Sequence, residues 1–237
     1  MLLLFDLDGT LTDSAPGIVR SVNHALGVLG HPPVPEDDIR SLIGAPLSQI
    51  FAHVLGPLDR DTMDRGIAAY RERFNDIGVF ENRVYPGIPG ALADLGASGG
   101  RLQVVTAKPV ASARRVLEHF GLAGHFEAVR GSDPGARAFD KADLVAAALS
   151  ARRADPARAA MIGDRADDVK AGHAHGTLAV GVEWGYGGRD ELVAARPAYI
   201  APGVADLADW LGQAIANGGA PPRVTPTFDT GPGRPGT

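Results

Sequence analysis

Hydrophobic residues follow two alternating patterns along most of the chain. Short apolar runs, which are typical of buried strands, occur at residues 2–5, 102–105, 159–162 and 178–182, with a weaker run at 126–129. Helical spacing of apolar residues lies between these runs, at 91–97, 109–120, 141–152 and 166–175. Strands that alternate with helices favour right-handed crossovers, which give a parallel sheet with helices on both faces. The pattern therefore predicts an α/β fold whose last strand is 178–182.

Residues 15–80 differ from the rest of the chain because they show helical periodicity and no strand pattern. Ser14 is a suitable N-cap and Pro16 suits a first helical turn, so we expect a helix to begin there. Three further helices are predicted at 36–43, 47–55 and 59–74. The four helices are predicted to form one insertion after the first strand.

The same patterns divide the chain into a core, an insertion and a tail. The core domain is predicted to comprise residues 1–14 and 84–216, and the helical insertion, called the cap below, residues 15–83. Residues 217–237 are rich in proline, glycine and threonine. Such a composition does not form a hydrophobic core, so we expect a flexible tail.

Composition excludes several classes of protein. The 237 residues carry a net charge of −5, and the longest basic runs are short, which argues against binding to nucleic acid or to a membrane surface. The sequence has no cysteine, and this excludes disulfides, thiolate metal sites and cysteine catalysis. Asp6 and Asp8 interrupt the apolar N-terminal run early, so neither a signal peptide nor a membrane span is predicted. We expect a cytoplasmic protein, as a monomer or a homodimer.

The strongest chemical signal is a pair of acids directly after the first strand. Asp6 and Asp8 are followed by Gly9, a residue that permits a sharp turn. Two carboxylates around one small volume repel each other unless a cation or a shared proton relieves them. An aspartate can also act as a nucleophile and carry a phosphoryl group. A solvated turn is the plain alternative, but the strand, the two acids and the helix that follows make a metal or proton-transfer site the better interpretation.

Polar residues also follow two later strands. In a parallel sheet the carboxyl ends of the strands meet at one edge, so Asp6, Thr106 and Asp164 are expected to lie together. Carboxylate oxygens are ligands that Mg²⁺ prefers. The Thr106 hydroxyl and the backbone amide of Ala107 are candidate donors to the oxygens of a bound anion. Taken by itself, Thr106 could equally be an ordinary threonine at the end of a strand, without a role in binding.

The segment from Phe5 to Ser14 resembles the first signature of the haloacid dehalogenase-like phosphohydrolases, and residues 163–168 resemble the fourth. All four signatures follow in order within residues 1–216, and the most similar group looks like the phosphoglycolate phosphatases. The resemblance implies a Rossmann-like parallel sheet core with an inserted four-helix cap domain, and a Mg²⁺ cofactor. It implies that Asp6 attacks the phosphorus of a small-molecule phosphate ester.

The resemblance implies roles for the other candidate residues as well. Asp8 would offer its backbone carbonyl to the metal and its side chain as acid and base, while Gly9 and Ala107 would contact phosphate. Asp164 would bind the metal, and Asp168 would hold a metal-bound water. The acidic start of a helix explains an acid at Asp167 equally well.

Two lysines are candidates for the cation that stabilises the phosphate. Lys141 opens a helix, where a lysine is electrostatically disfavoured, and it lies where the family has its third signature. Lys108 lies in the second signature, nearer to the expected position of the leaving group. Ala107 stands where asparagine is frequent in the family, a difference that removes a side-chain amide and keeps the backbone donor. Trp184 and Tyr186 follow the last strand. Their positions suit core residues or residues in the wall of the site as well as residues that contact the substrate.

The cap is expected to select the substrate. By resemblance, residues 42–48 face the site, and they carry little charge, which suits a bulky or partly apolar ester such as a phosphosugar on a secondary metabolite. Phosphoryl transfer profits from a site closed to water, so we expect the cap to move on hinges near 13–16 and 81–86. A phosphosugar mutase remains open as an alternative. A halide-removing enzyme or a non-catalytic phosphate-binding protein is disfavoured because all the signature acids are present.

Overall fold

A computed structural model describes residues 1–132 and 140–222 of the protein. Its centre is a six-stranded sheet in the order β5-β4-β1-β6-β7-β8, in which every neighbouring pair is parallel. The strands of this sheet are β1 (Leu2–Phe5), β4 (Arg101–Pro109), β5 (Ala128–Ser132), β6 (Ala159–Gly163), β7 (Leu178–Val182) and β8 (Tyr199–Ala201). The predicted α/β fold is confirmed.

Helices lie between the strands and cover the sheet. Those of the core are α5 (Ile88–Ala97), α6 (Val110–His119), α7 (Lys141–Arg152), α8 (Ala166–Ala174), α9 (Gly188–Ala195) and α10 (Val204–Ala216). Side chains alternate between the two faces of a strand, and β1 shows this directly. Leu3 and Phe5 belong to one buried cluster, whereas Leu2 and Leu4 belong to another together with Val145 of α7. Because β1 is central, both of its faces are buried, which explains its continuous apolar run.

Four helices lie between β1 and α5, as the sequence predicts. They are α1 (Ala15–Val28), α2 (Glu36–Arg40), α3 (Leu47–Leu55) and α4 (Arg60–Arg73). Helix α4 continues into a π-helical turn, Phe74–Gly78, where the sequence predicted only the end of a helix. Close packing against α1 accompanies this turn, since a side chain on Gly17 would collide with the carbonyl of Gly78. A short antiparallel ribbon, β2 (Thr12–Asp13) with β3 (Arg83–Val84), joins the cap to the core.

The structure corrects the sequence analysis at several elements. The sheet does not end at β7, because β8 adds a further parallel strand, and α9 and α10 flank it. The helix predicted at 36–43 ends at Arg40, and the strand predicted at 126–129 runs from Ala128 to Ser132. Ser14 makes no side-chain cap to α1. Of the predicted tail, residues 223–237 lie outside the described residues. Across the described ranges, no helix combines the length and the apolar character needed to cross a membrane.

Candidate active site

The ends of β1, β4 and β6 meet at one edge of the sheet. Asp6 follows β1 and donates its backbone N–H to the carbonyl of Ile162 in β6 at 2.9 Å. Asp6, Thr106 and Asp164 are all buried. Oxygen atoms of the Asp6, Asp164 and Asp168 carboxylates lie within 4.8 Å of one another. The structure therefore brings together Asp6 and Asp164, two of the strand-end residues that the sequence analysis expected to meet, whereas Thr106 lies within β4, which runs on to Pro109.

Asp164 is held by the chain segments around it. Its oxygens accept hydrogen bonds from the Thr10 hydroxyl at 3.2 Å and from the backbone N–H of Tyr186 at 2.7 Å. Gly9 has a φ of +85°, and a side chain on Gly9 or on Gly185 would collide with Asp164. Burial, and after it the charge of Asp6, raises the pKa of Asp164 to about 6. Glycine at both positions allows the backbone to pack directly against this carboxylate.

Lys141 is the lysine beside the predicted nucleophile. Asp140 caps α7 by accepting from the Ala142 N–H at 2.8 Å, so Lys141 is placed in the first turn of the helix. Its Nζ donates to Asp6 Oδ2 at 2.8 Å and to Asp168 Oδ1. Although burial opposes the ammonium form, the charges of Asp168 and Asp6 raise the pKa of Lys141 above its ordinary value. Lys141 is therefore a cation at neutral pH.

The two acids at the start of α8 have different surroundings. Asp168 is buried, and its second oxygen accepts the backbone N–H of Arg165 at 3.0 Å. Burial raises the pKa of Asp168 to about 7, although the Lys141 charge opposes this. The Asp167 side chain is 81% exposed and pairs with Lys170 at 3.3 Å. Asp167 thus fits the acidic start of a helix, and Asp168 the site.

Asp8 and Lys108 form a second ion pair at the cap side of the site, in which Lys108 is buried and Asp8 is partly exposed. The Lys108 Nζ lies 2.9 and 2.8 Å from the two Asp8 oxygens. It also lies 4.9 Å from the centre of the Phe74 ring, a cation–π distance. Phe74 stacks on Tyr70 with ring centres 5.3 Å apart.

Sequence reasoning missed Tyr70 and Phe74 as site residues. Burial, and then the Asp8 charge, raises the pKa of Tyr70 above its ordinary value, so its phenol stays protonated. Their spacing of four residues fits one helix face and was used only as helical periodicity. Nothing in that spacing indicates that the face covers Asp8 and Lys108.

The remaining predicted residues are distributed around this centre. Thr106 is buried and its Oγ1 accepts the backbone N–H of Lys108 at 3.3 Å. Ala107 is partly exposed between them. The predicted specificity loop, residues 42–48, contacts the core through the Ile43 carbonyl, which accepts a hydrogen bond from Arg165 at 3.1 Å. That this loop faces the substrate stays a prediction.

The donor set of the site fits a hard divalent cation. Asp6, Asp164 and Asp168 offer only carboxylate oxygens, and the one ammonium that contacts this group is that of Lys141 among the described residues. Three carboxylates facing one ammonium leave an excess of negative charge in a buried volume. Oxygen ligands and carboxylate charge are what Mg²⁺ prefers. Both oxygens of each of the three carboxylates accept a hydrogen bond, and each oxygen keeps a further lone-pair site for a cation.

The chain matches one family model and is similar to several known proteins. The family model of haloacid dehalogenase-like hydrolases matches residues 3–182. A tyrosine-protein kinase, PtkA of Mycobacterium tuberculosis, is 44% identical over 191 residues; the match covers 80% of this chain and 64% of the relative. A 5'-nucleotidase of Pseudomonas aeruginosa is 39% identical over 88% of this chain and 94% of the relative. The crystal structure of a predicted phosphatase from Clostridium acetobutylicum superposes with a TM-score of 0.81 at 36% identity, over 88% of this chain and 96% of that one.

Proposed function

Because this chain belongs to the haloacid dehalogenase-like hydrolases, we propose that it is a Mg²⁺-dependent phosphatase acting on a small-molecule phosphate monoester through an aspartyl-phosphate at Asp6. One observation carries the proposal. Asp6 is buried beside Lys141, Asp164 and Asp168, and a second carboxylate, Asp8, lies in the same turn with its own lysine. This arrangement supplies a nucleophile, a charge-stabilising cation and an acid–base group within one site.

The nucleophile is oriented before any substrate binds. Asp6 Oδ1 accepts the N–H of Leu7 at 2.8 Å, and Oδ2 accepts from Lys141 at 2.8 Å. In the first step an Asp6 oxygen forms a bond to phosphorus and the ester P–O bond breaks, while Asp8, which enters this step in its protonated form, gives its proton to the leaving alcohol oxygen. Lys141, the Thr106 hydroxyl and the Ala107 N–H hold the phosphate oxygens. Mg²⁺ held by Asp6, Asp164 and the Asp8 carbonyl would offset the negative charge of the phosphate.

Hydrolysis of the acyl phosphate needs a base. Asp8, which is a carboxylate after the first step, takes a proton from water as the water oxygen bonds to phosphorus and the bond to Asp6 breaks. Lys108, at 2.8 Å from Asp8, stabilises this carboxylate form. The Phe74 ring over Lys108 keeps bulk water away from the pair.

The nature of the phosphoryl acceptor separates this proposal from its alternatives. The relatives are named as a kinase and as a nucleotidase, so their names leave the acceptor open. A phosphosugar mutase would use the same residues and protect its phospho-enzyme from water. A non-catalytic binding protein would not need Asp6 and Asp8 together. We favour a phosphoglycolate-like ester, a sugar phosphate or a phosphorylated secondary metabolite as substrate.

A panel of phosphate esters tests the proposal. The purified protein is assayed for phosphate release from phosphoglycolate, sugar phosphates, 5'-nucleotides and an aryl phosphate, with Mg²⁺ or with excess chelator. We expect release that requires Mg²⁺ and is lost in Asp6→Asn, with Asp167→Asn as the control that retains activity. Full activity after exhaustive metal removal, or in Asp6→Asn, would contradict the proposal.

A further inference from the structure

Tyr186 connects the buried carboxylate Asp164 to the start of α1, where the core passes into the cap. Its hydroxyl accepts the backbone N–H of Ser14 at 2.7 Å and of Ala15 at 3.1 Å, and it donates to Asp13 Oδ1 at 2.9 Å. The phenol thus does what a Ser14 side chain was predicted to do at the start of α1. The backbone N–H of the same residue donates to Asp164 Oδ2 at 2.7 Å.

Arg165 makes an equivalent connection to the cap segment that follows α2. Its Nη1 donates to the carbonyls of Ser41 and Ile43 at 3.0 and 3.1 Å. Its Nε donates to Glu191 Oε1 at 3.1 Å, which fixes the guanidinium on the core. The backbone N–H of Arg165 donates to Asp168 Oδ2 at 3.0 Å. Each residue therefore holds a site carboxylate with its backbone and the cap with its side chain.

Arg40 joins the two connections. Helix α2 ends at Arg40, and the carbonyls that follow have lost the helical partners they would otherwise have. Arg165 supplies donors to these carbonyls. The Arg40 guanidinium lies 5.0 Å from the centre of the Tyr186 ring and 3.6 Å from Asp13. The contacts of the cap with Arg165 and with Tyr186 consequently form one continuous set.

We propose that Arg165 and Tyr186 are positioning residues that couple metal binding at Asp164 and Asp168 to closure of the cap. The proposal rests on the proposed function for the metal. Without a cation the buried carboxylates repel one another, so the N–H groups that they hold are less firmly fixed. A bound cation orders the carboxylates, and through them the backbone at residues 165 and 186 and the side chains that contact the cap. Coupling of this kind is reciprocal, so closure of the cap raises metal affinity by the same factor.

Amide hydrogen exchange with and without Mg²⁺ tests the coupling independently of turnover. The peptides to follow cover residues 12–20 and 40–47 in the wild type, Arg165→Gln and Tyr186→Phe. Arg189→Gln is the matched control, because Arg189 pairs with Glu183 at 2.9 Å within the core and contacts no cap residue among the described residues. Mg²⁺ affinity is measured by calorimetry on the same proteins. Both variants retain the backbone N–H groups that contact the carboxylates.

We expect Mg²⁺ to slow exchange in both peptides of the wild type and of Arg189→Gln. In Arg165→Gln, exchange in 40–47 should rise by at least about tenfold without metal, because two hydrogen bonds to a charged donor are lost, and Mg²⁺ should no longer restore protection there. Tyr186→Phe should behave likewise in 12–20. Mg²⁺ affinity should fall several-fold in both variants, as the linkage requires.

The outcomes separate this inference from the proposed function. If Mg²⁺ protects the cap peptides of Arg165→Gln and Tyr186→Phe as fully as those of the wild type, the coupling does not run through these residues. If the metal-free variants exchange at the rate of the metal-free wild type, the contacts of Arg165 and Tyr186 do not hold the cap, and the proposal is wrong. Absence of Mg²⁺ binding by the wild type would instead contradict the metal site and the coupling together, even where the metal-free variants open the cap.

Discussion

Replacing Lys141 with methionine tests the electrostatic account of the site. Lys141 is 9% exposed, and its ammonium hydrogen-bonds to Asp6 and Asp168. Methionine keeps most of the side-chain volume and removes the charge, which leaves the three carboxylates without a cation. Removing one partner of a buried ion pair typically costs about 3–5 kcal/mol of unfolding free energy, because the other charge stays buried and uncompensated. We expect a loss of that size in metal-free Lys141→Met at pH 8.

The assay is urea unfolding at pH 8, above the pKa of about 6 of Asp164, with chelator and then with Mg²⁺. Mg²⁺ should recover part of the loss, since a cation among the same carboxylates replaces the missing charge. Lys170→Met is the matched control: its pair with Asp167 lies on the exposed side of α8, the helix that carries Asp168, with side chains 70% and 81% exposed. That variant should unfold like the wild type.

A loss below about 1 kcal/mol in metal-free Lys141→Met would refute the reasoning, since a buried pair is expected to cost several times more. A loss that Mg²⁺ leaves unchanged would also count against it, because then the carboxylates and the metal would not share one site.

Three further predictions concern catalysis, pH and specificity. Asp6→Asn should abolish turnover and any phospho-enzyme, whereas Asp8→Asn should slow both steps by roughly two to four orders of magnitude; wild-type rates of Asp8→Asn on an ester with a poor leaving group would contradict its role. The pKa of Asp164 in the folded protein is raised to about 6, so the metal-free protein should lose stability as pH rises through that value. The Mg²⁺-induced rise in Tm should therefore be larger at pH 8 than at pH 5. Equal rises in Tm at the two pH values would contradict a role for Asp164 as a metal ligand. Substitutions at Leu47 or Ser48 should shift relative kcat/KM among esters and spare a small one, and equal losses on every ester would exclude a role in specificity.

Much of the fold follows from local patterns in the sequence. The continuous apolar run of β1 indicates a buried strand, and the structure buries both of its faces. Strand β8 was missed because it has three residues, Tyr199 to Ala201, and its pairing with β7 is a tertiary contact without a local signal. The ribbon between Thr12–Asp13 and Arg83–Val84 escaped notice for the same reason, since each strand has two residues.

The site was predictable where backbone topology determines position. Asp6 and Asp164 directly follow neighbouring parallel strands, so their convergence follows from the sheet. The contact of Lys108 with Phe74 depends on how the cap packs on the core, and no local pattern encodes that packing. Tyr186 was left as core, wall or contact because its hydroxyl meets residues more than 170 positions away in the chain.

The central claim is that Asp6 carries the phosphoryl group during turnover, and reductive trapping tests it most directly. The enzyme is mixed with Mg²⁺ and a rapidly hydrolysed phosphate ester, quenched within one turnover and treated with borohydride, which converts an aspartyl-phosphate to homoserine. Peptide mass spectrometry then reads residue 6. The account predicts homoserine at position 6 in the wild type and none in samples without substrate or in Asp6→Asn. Hydrolysis that proceeds while residue 6 remains aspartate in every quenched sample, or homoserine at another aspartate, would contradict it.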